Sequence, residues 1–330
     1  MSWSGKTVLV TGAGGFIGSH LTGHLADLGA TVRALVHYNS RNDWGNLRFL
    51  TPEQLARVSV VLGNVEDSGC VDKAVEGCDC VFHLAALIGI PYSYVAPRSY
   101  VATNVTGTLN VLDAVLRHRV PRMVHTSTSE AYGTALYVPI DETHPLQGQS
   151  PYSATKIAAD KIAESYFRSF DAPVATIRPF NTYGPRQSAR AVVPTIASQL
   201  LSGRDVVALG SLGPERDLTF VDDTVRGFLA VAECDRALGE VVNVGTGSAV
   251  SIGALAQKLV DMVNPRARVV SVEERVRPDK SEVMRLVCAN AKARELTGWQ
   301  PRVSLDEGLR RTVEFVRANL DLYRVDLYTV

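Results

Sequence analysis

Short apolar runs recur through the first half of the chain, each followed by a longer stretch with apolar positions at helical spacing. The runs fall near residues 6–11, 31–36, 58–63, 79–84, 121–127 and 173–178. Near-continuous apolar runs suit strands buried on both faces, so the alternation predicts an α/β fold with a doubly wound parallel sheet. Two helices are expected to be long, from about Arg98 to His118 and from Tyr152 to Phe170, and both carry apolar residues on more than one face. Such helices suit pairing with the same helices of a second copy, so a homodimer through about 98–118 and 151–170 is expected. Beyond Arg178-Pro179, Pro and Gly interrupt the alternation, and strand-like pieces at Leu218–Val221 and Val241–Val244 are expected to return to the sheet.

Composition narrows the function classes. With 330 residues, 46% of them hydrophobic, the chain can bury a large core. Lys and Arg number 34 and so do Asp and Glu, so the basic footprint of a nucleic-acid binder is missing. The five cysteines, Cys70, Cys78, Cys80, Cys234 and Cys288, show no Cys-x-x-Cys spacing and fit reduced thiols. The chain enters a strand near Lys6 without a charged-then-apolar leader, and no apolar run approaches the ~20 residues of a membrane span, so a cytoplasmic location without membrane contact is expected. His20 and His24 have a helical ligand spacing, but no Glu follows His20, and no metal site is expected.

The first apolar run leads into Thr11-Gly12-Ala-Gly-Gly15-Phe16-Ile17-Gly18 and then a helix. Strand, glycines and helix in that order make a pyrophosphate cradle, because glycine lets the backbone approach and the helix N-terminus offers free N–H groups. Residues 1–178, with returning segments at about 218–247, then form an NAD(P)-binding Rossmann domain, and 179–330 mainly a substrate-binding cap. The acidic residue expected after the second strand to take the ribose hydroxyls is missing; His37-Tyr-Asn-Ser-Arg41 follows instead. Arg41 either pairs with a 2′-phosphate, which favours NADP, or stands as a solvated loop charge, which leaves NAD.

Tyr152 and Lys156 stand at i and i+4, on one helix face, where an ammonium can hold down a phenol's pKa and provide a general base for alcohol oxidation. Thr128-Ser129-Glu130 lies upstream, at the end of an apolar run. Thr128 can hydrogen-bond a developing carbonyl, and Glu130 is a carboxylate at a strand end, where catalytic groups concentrate.

These motifs, with His83-Leu-Ala-Ala86, Thr103-Asn104-Val-Thr-Gly107 and Arg178-Pro-Phe-Asn181-Thr-Tyr-Gly-Pro185, resemble the extended short-chain dehydrogenases/reductases that epimerise or dehydrate nucleotide sugars. The resemblance covers nearly the whole chain. It is nearest the LegB-type dehydratases, which make 4-keto-6-deoxy sugars from UDP- or GDP-N-acetylglucosamine. Leu87–Tyr94, Tyr137–Glu142, His144–Tyr152 and Arg277–Arg285 carry that likeness.

The resemblance implies NAD as cofactor, with NADP not excluded, contacted by Gly12, Gly15, Phe16, Ile17, Gly18, His37, Arg41, Asn64, Val65, Leu84, Ala85, Ala86, Asn104, Tyr152 and Lys156. It implies catalytic roles for Thr128, Ser129, Glu130, Tyr152 and Lys156, and a nucleotide sugar held by Ile88, Tyr92, Ser93, Asn181, Arg190, Val192, Arg216 and Arg277. Tyr152 takes the C4 hydroxyl proton as hydride leaves C4, Glu130 removes the acidified C5 proton, the C6 hydroxyl departs, and hydride returns to C6. Ser129 departs from the dTDP-glucose 4,6-dehydratases, which have Asp there to protonate the leaving hydroxyl. The same Thr-Ser-Glu also resembles UDP-glucuronate decarboxylases, so decarboxylation and C4 epimerisation stand as rival activities. A non-catalytic NAD-binding regulator is the rival outside enzymes, and has no need of the Tyr, Lys, Thr and Glu set.

Overall fold

The structure is a computed structural model that describes residues 2–275, 282–323 and 325. Its centre is a parallel sheet built from β1 (Thr7–Thr11), β2 (Thr31–Val36), β3 (Val58–Leu62), β4 (Cys80–His83), β5 (Met123–Thr126) and β6 (Val174–Pro179). All six coincide with apolar runs in the sequence. The chain next forms β7 (Asn181–Tyr183), β8 (Val206–Leu209), β9 (Glu215–Phe220) and β10 (Val241–Val244). β10 returns to the main sheet, whose order is β10-β6-β5-β4-β1-β2-β3 and whose pairings are all parallel. The order reverses between β1 and β4, and a crevice opens at such a point outside the carboxyl ends of the strands.

Helices cover both faces, and alternate strand residues divide between them. Val8 and Val10 of β1 join one core with Leu21 and Leu25 of α1 (Phe16–Asp27). Leu9, between them, joins the other core with Val71 of a helix over Ser68–Val75. α2 (Pro52–Leu55) precedes β3, and that Ser68–Val75 helix is α3. Two short helices, α4 (Ile90–Val95) and α5 (Pro97–Tyr100), then lead into α6 (Gly107–Arg117).

The single helix expected from about Arg98 to His118 is therefore composite. Between α5 and α6 the turn widens to a π-helix over Val101–Thr106. Such a widening often marks a functional site, and here it places Asn104 inward, 1% exposed. α7 (Pro151–Phe170) is a full helix: the Ser150 hydroxyl caps its start with Pro151 in the first turn, and Asp171 ends it in a left-handed conformation at φ 53°. Its buried face carries Tyr152, Lys156, Asp160 and Ala163, at spacings of four, four and three.

The segment expected at Leu218–Val221 does not return to the main sheet. β9 instead pairs in a smaller sheet with β7, with β11 (Ala249–Ser251) and with β13 (Arg285–Leu286), while α9 begins at Val221. β12 (Arg268–Ser271) pairs with β8. The helices of this half are α8 (Val192–Leu201), α9 (Val221–Glu233), α10 (Ile252–Val263), α11 (Ala291–Thr297) and α12 (Leu305–Ala318). Leu200, Leu255, Leu259 and Leu309 merge with the core under α1 and α9, so the half that follows β6 packs continuously onto the first. Among the described residues, no helix is long and apolar enough to cross a membrane.

Candidate active site

The glycine loop forms the floor of the crevice. Gly12 has φ +70°, and a Cβ there would come within 2.8 Å of the Ala85 amide nitrogen. A side chain on Gly18 would collide with the Gly12 carbonyl oxygen. Two backbone segments therefore meet where only hydrogen atoms fit. Thr11 fixes the neighbouring turn: its Oγ1 accepts from the amides of Leu84 and Ala85, both at 3.1 Å, and bonds His83 Nδ1 at 2.9 Å. Among the described residues no side chain caps α1 at Gly15, and the positive end of the helix stands at the cavity wall.

The crevice opens into a cavity of about 1060 Å³. From the sheet side it is lined by Gly12, Gly15, Phe16, Ile17, Gly18, His37, Arg41, Leu84, Ala85 and Ala86. Ile88, Asn181, Arg190, Val192 and Arg216 line its far side. Between them stand Thr128, Ser129, Glu130, Tyr152 and Lys156. Residues far apart in sequence are thus gathered around one space.

Five expected contact residues do not line it, and a sixth lies outside the described residues. Ser93 is buried, and its hydroxyl donates to the Ile90 carbonyl at 2.6 Å, so it closes the first turn of α4. Tyr92 is 43% exposed and tilts against Tyr100 rather than facing the cavity. Val65 is buried against Gly107, in the core beneath α6. Asn104 acts from behind: its side chain accepts from the Leu87 amide at 2.8 Å and donates to the Leu87 carbonyl at 3.0 Å and to Thr155 Oγ1 at 3.1 Å, which sets the course of the 84–88 loop. Asn64 is set back from the cavity, and its buried Oδ1 has no hydrogen-bond partner among the described residues. Arg277 is the one outside the described residues.

The chemistry-bearing groups are nearly dry. Tyr152 is 8% and Lys156 4% exposed. Burial pushes the Tyr152 phenol up, a hydrogen bond with Thr128 pulls it down, and the Glu130 charge raises it again. The Lys156 ammonium donates to the Thr126 carbonyl at 2.6 Å. Burial lowers Lys156 to about 8, against the pull of Asp160. Glu130 belongs to a one-turn helix over Ser129–Tyr132, whose N-cap is Thr128: Thr128 Oγ1 accepts from the Glu130 amide at 3.2 Å.

Behind this cluster lies a buried polar network that the sequence motifs do not mark as functional. Asp160 accepts from His125 Nε2 at 3.0 Å, Ser127 Oγ at 2.5 Å and Arg178 Nη2 at 2.7 Å. Burial raises the Asp160 carboxyl, but Arg178 and His125 outweigh it and leave the carboxyl well below the usual range. The Arg178 guanidinium also stands 4.6 Å over the Tyr132 ring, whose hydroxyl donates to Asn243 Oδ1 at 2.8 Å. Two sequence signals could have found it: Asp160 follows Lys156 by four residues, and Arg178 opens the Arg-Pro-Phe-Asn motif. Gln187 and Arg275 also line the cavity and carry no such signal.

On the far side, Arg216 is 7% exposed, donates to the Glu215 carbonyl at 3.0 Å and pairs with Glu282 at 3.1 Å. The Arg190 guanidinium lies close against Gly89, where a Cβ would come within 2.9 Å of it. His20 and His24 serve the fold: His20 Nε2 donates to the Pro185 carbonyl and His24 Nδ1 to the His20 carbonyl, each at 3.0 Å.

A glycine loop at the switch point of a parallel sheet, with Thr128, Tyr152 and Lys156 around one cavity, defines an extended short-chain dehydrogenase/reductase. The chain belongs to the GDP-mannose 4,6 dehydratase family, whose profile matches residues 9–312. A dTDP-glucose 4,6-dehydratase of Actinoplanes sp. is 34% identical over 94% of this chain and 98% of its own. A UDP-glucose 4-epimerase of Mycolicibacterium smegmatis is likewise 34% identical, over 94% of this chain and 98% of its own. The dTDP-glucose 4,6-dehydratase of Streptomyces venezuelae, solved with NAD bound, superposes with a TM-score of 0.83 at 30% identity, over 96% of this chain and 99% of that one.

Proposed function

We propose that this protein is an NAD-dependent nucleotide-sugar 4,6-dehydratase that converts UDP- or GDP-N-acetylglucosamine into its 4-keto-6-deoxy derivative. The observation that carries the reading is a carboxylate, Glu130, lining the same cavity as Tyr152 and near enough for its charge to act on the phenol. A simple alcohol dehydrogenase has no use for that second base.

The residues present fit a dinucleotide. Close backbone packing at Gly12 and Gly18 brings a bare glycine loop and the uncapped start of α1 to the cavity wall, where free N–H groups suit a pyrophosphate. Bound there, NAD supplies a hydride acceptor at C4 and a hydride donor at C6. Arg41 lining the cavity keeps NADP as the second choice.

In this reading Tyr152 accepts the C4 hydroxyl proton, and the Thr128 hydroxyl steadies the oxygen as it becomes a carbonyl. Glu130 then takes the proton from C5, made acidic by the neighbouring ketone. Arg216 and Arg190 face the diphosphate, which suits guanidinium geometry, and Ile88 and Val192 give the sugar side apolar walls. The dry setting of Tyr152 and Lys156 strengthens each of these interactions.

Ser129 supports a second reading. It is 2% exposed and cannot serve as the strong acid for a departing hydroxyl, and C4 epimerisation or uronate decarboxylation needs none. Incubation with UDP-, GDP- and dTDP-sugars separates the readings. Loss of one water, with C4 deuterium carried to C6, supports dehydration; inversion at C4 or loss of carbon dioxide overturns it. A homodimer is part of the proposal, through about 98–118 and 151–170, where Val101 and Phe170 are 50% and 60% exposed. Light scattering at twice the 35.7 kDa chain mass tests it.

A further inference from the structure

Tyr152, Lys156 and Asp160 stand four residues apart on α7 and form one inward stripe. The first two line the cavity; the third reaches the strands behind it. Three donors hold its carboxylate: His125 of β5 at 3.0 Å, Ser127 just past β5 at 2.5 Å, and Arg178 of β6 at 2.7 Å. Arg178 Nε also donates to Ser127 Oγ, at 3.1 Å. All four side chains are at most 5% exposed, so the contacts are made away from water.

Two consequences follow for the cavity. Ser127 immediately precedes Thr128, Ser129 and Glu130, so clamping its hydroxyl fixes the point from which those three side chains depart. Charge is the second. Facing this region are His83 from β4, His125 from β5, Glu130 and Tyr132 from the turn after it, Arg178 from β6, Tyr100 at the end of α5, and Tyr152 of α7 itself. Burial holds both His83 and His125 toward the neutral form. Arg178 and Lys156 are then two buried cations; the Asp160 carboxylate touches the first and stands one helical turn from the second on the same buried face of α7.

We propose that Asp160 is a positioning residue: held by His125, Ser127 and Arg178, its carboxylate anchors the Ser127–Glu130 segment and keeps the buried Lys156 ammonium charged. The proposal deepens the dehydratase reading in its chemistry, but the test of it needs no turnover.

The test is a direct titration of Lys156. In protein labelled with 13C at lysine Cε, the Lys156 signal is assigned by its loss in Lys156→Met, then followed against pH in the wild type and in Asp160→Asn. The wild-type midpoint is expected near 8, where burial has lowered it. Removing a carboxylate that favours the charged form should lower the midpoint by about one unit or more. The alkaline limb of kcat for whichever nucleotide sugar turns over should move the same way, with KM little changed. Asp160→Asn leaves Arg178 buried without its partner, so Asp160→Asn/Arg178→Gln is the second variant, in which neither charge is stranded. It should also titrate lower, by less, since a neighbouring cation has gone too. A Lys156 midpoint unchanged in the folded variants overturns the proposal. Absence of dehydration by wild type with a shifted midpoint overturns only the proposed reaction.

Discussion

Gly18 stands against the carbonyl oxygen of Gly12 so closely that a β-carbon on Gly18 would overlap that oxygen. The first turn of α1 and the end of β1 are therefore packed backbone to backbone. Gly18→Ala must displace the Gly12 carbonyl, with a strain of about 1–3 kcal/mol. Because that turn is the dinucleotide cradle, NAD affinity should fall about tenfold or more while the far-UV circular dichroism is retained. Calorimetric titration with NAD measures it; an unchanged Kd would show that the loop relaxes freely.

Tyr152→Phe removes the hydroxyl that bonds Thr128 and keeps the ring in its buried place. Turnover should drop about a hundredfold or more. NAD binding and thermal stability should stay near wild type. A variant with near-native kcat would take the proton-acceptor role from Tyr152.

Glu130→Gln separates oxidation from elimination. C4 oxidation needs Tyr152 and should proceed, whereas C5 deprotonation should stall, so absorbance of the reduced nicotinamide builds up in a single-turnover mixture. Normal release of dehydrated product would assign the C5 proton to another group.

Acid should destabilise the fold from about neutrality downward, in part through His20. Burial, followed by the Arg186 charge, lowers this imidazole to about 4. An unfolded histidine titrates near 6.5, so between those values the unfolded chain binds a proton that the native one does not, and stability falls as pH falls. At pH 5 the loss from His20 is about 2 kcal/mol, since each pH unit is worth about 1.4 kcal/mol. His20→Gln keeps a donor for the Pro185 carbonyl and cannot be protonated. Its melting temperature should therefore fall less than the wild type's between pH 7 and pH 5; parallel curves would clear His20 of the effect.

The sequence by itself determined the six strands β1 to β6, because strands covered on both faces must be apolar throughout and their ends are marked by Gly, Pro and charge. It also marked the glycine loop, since a close backbone approach excludes every side chain, and α7, where Ser150-Pro151 starts a helix whose inward face repeats every three or four residues. Tertiary structure decided what depends on partners distant in the chain. Strand-like pieces are expected to return to the main sheet at both Leu218–Val221 and Val241–Val244, yet β9 pairs with β7, β11 and β13 while β10 pairs with β6, because a strand's partner is set by which free edge it reaches. Apolar spacing could not reveal the π-turn over Val101–Thr106 that carries Asn104 inward, nor the bond in α4 that turns Ser93 back on its own helix. Asp160 and Arg178, 18 positions apart, became one buried ion pair only when α7 was laid against β6.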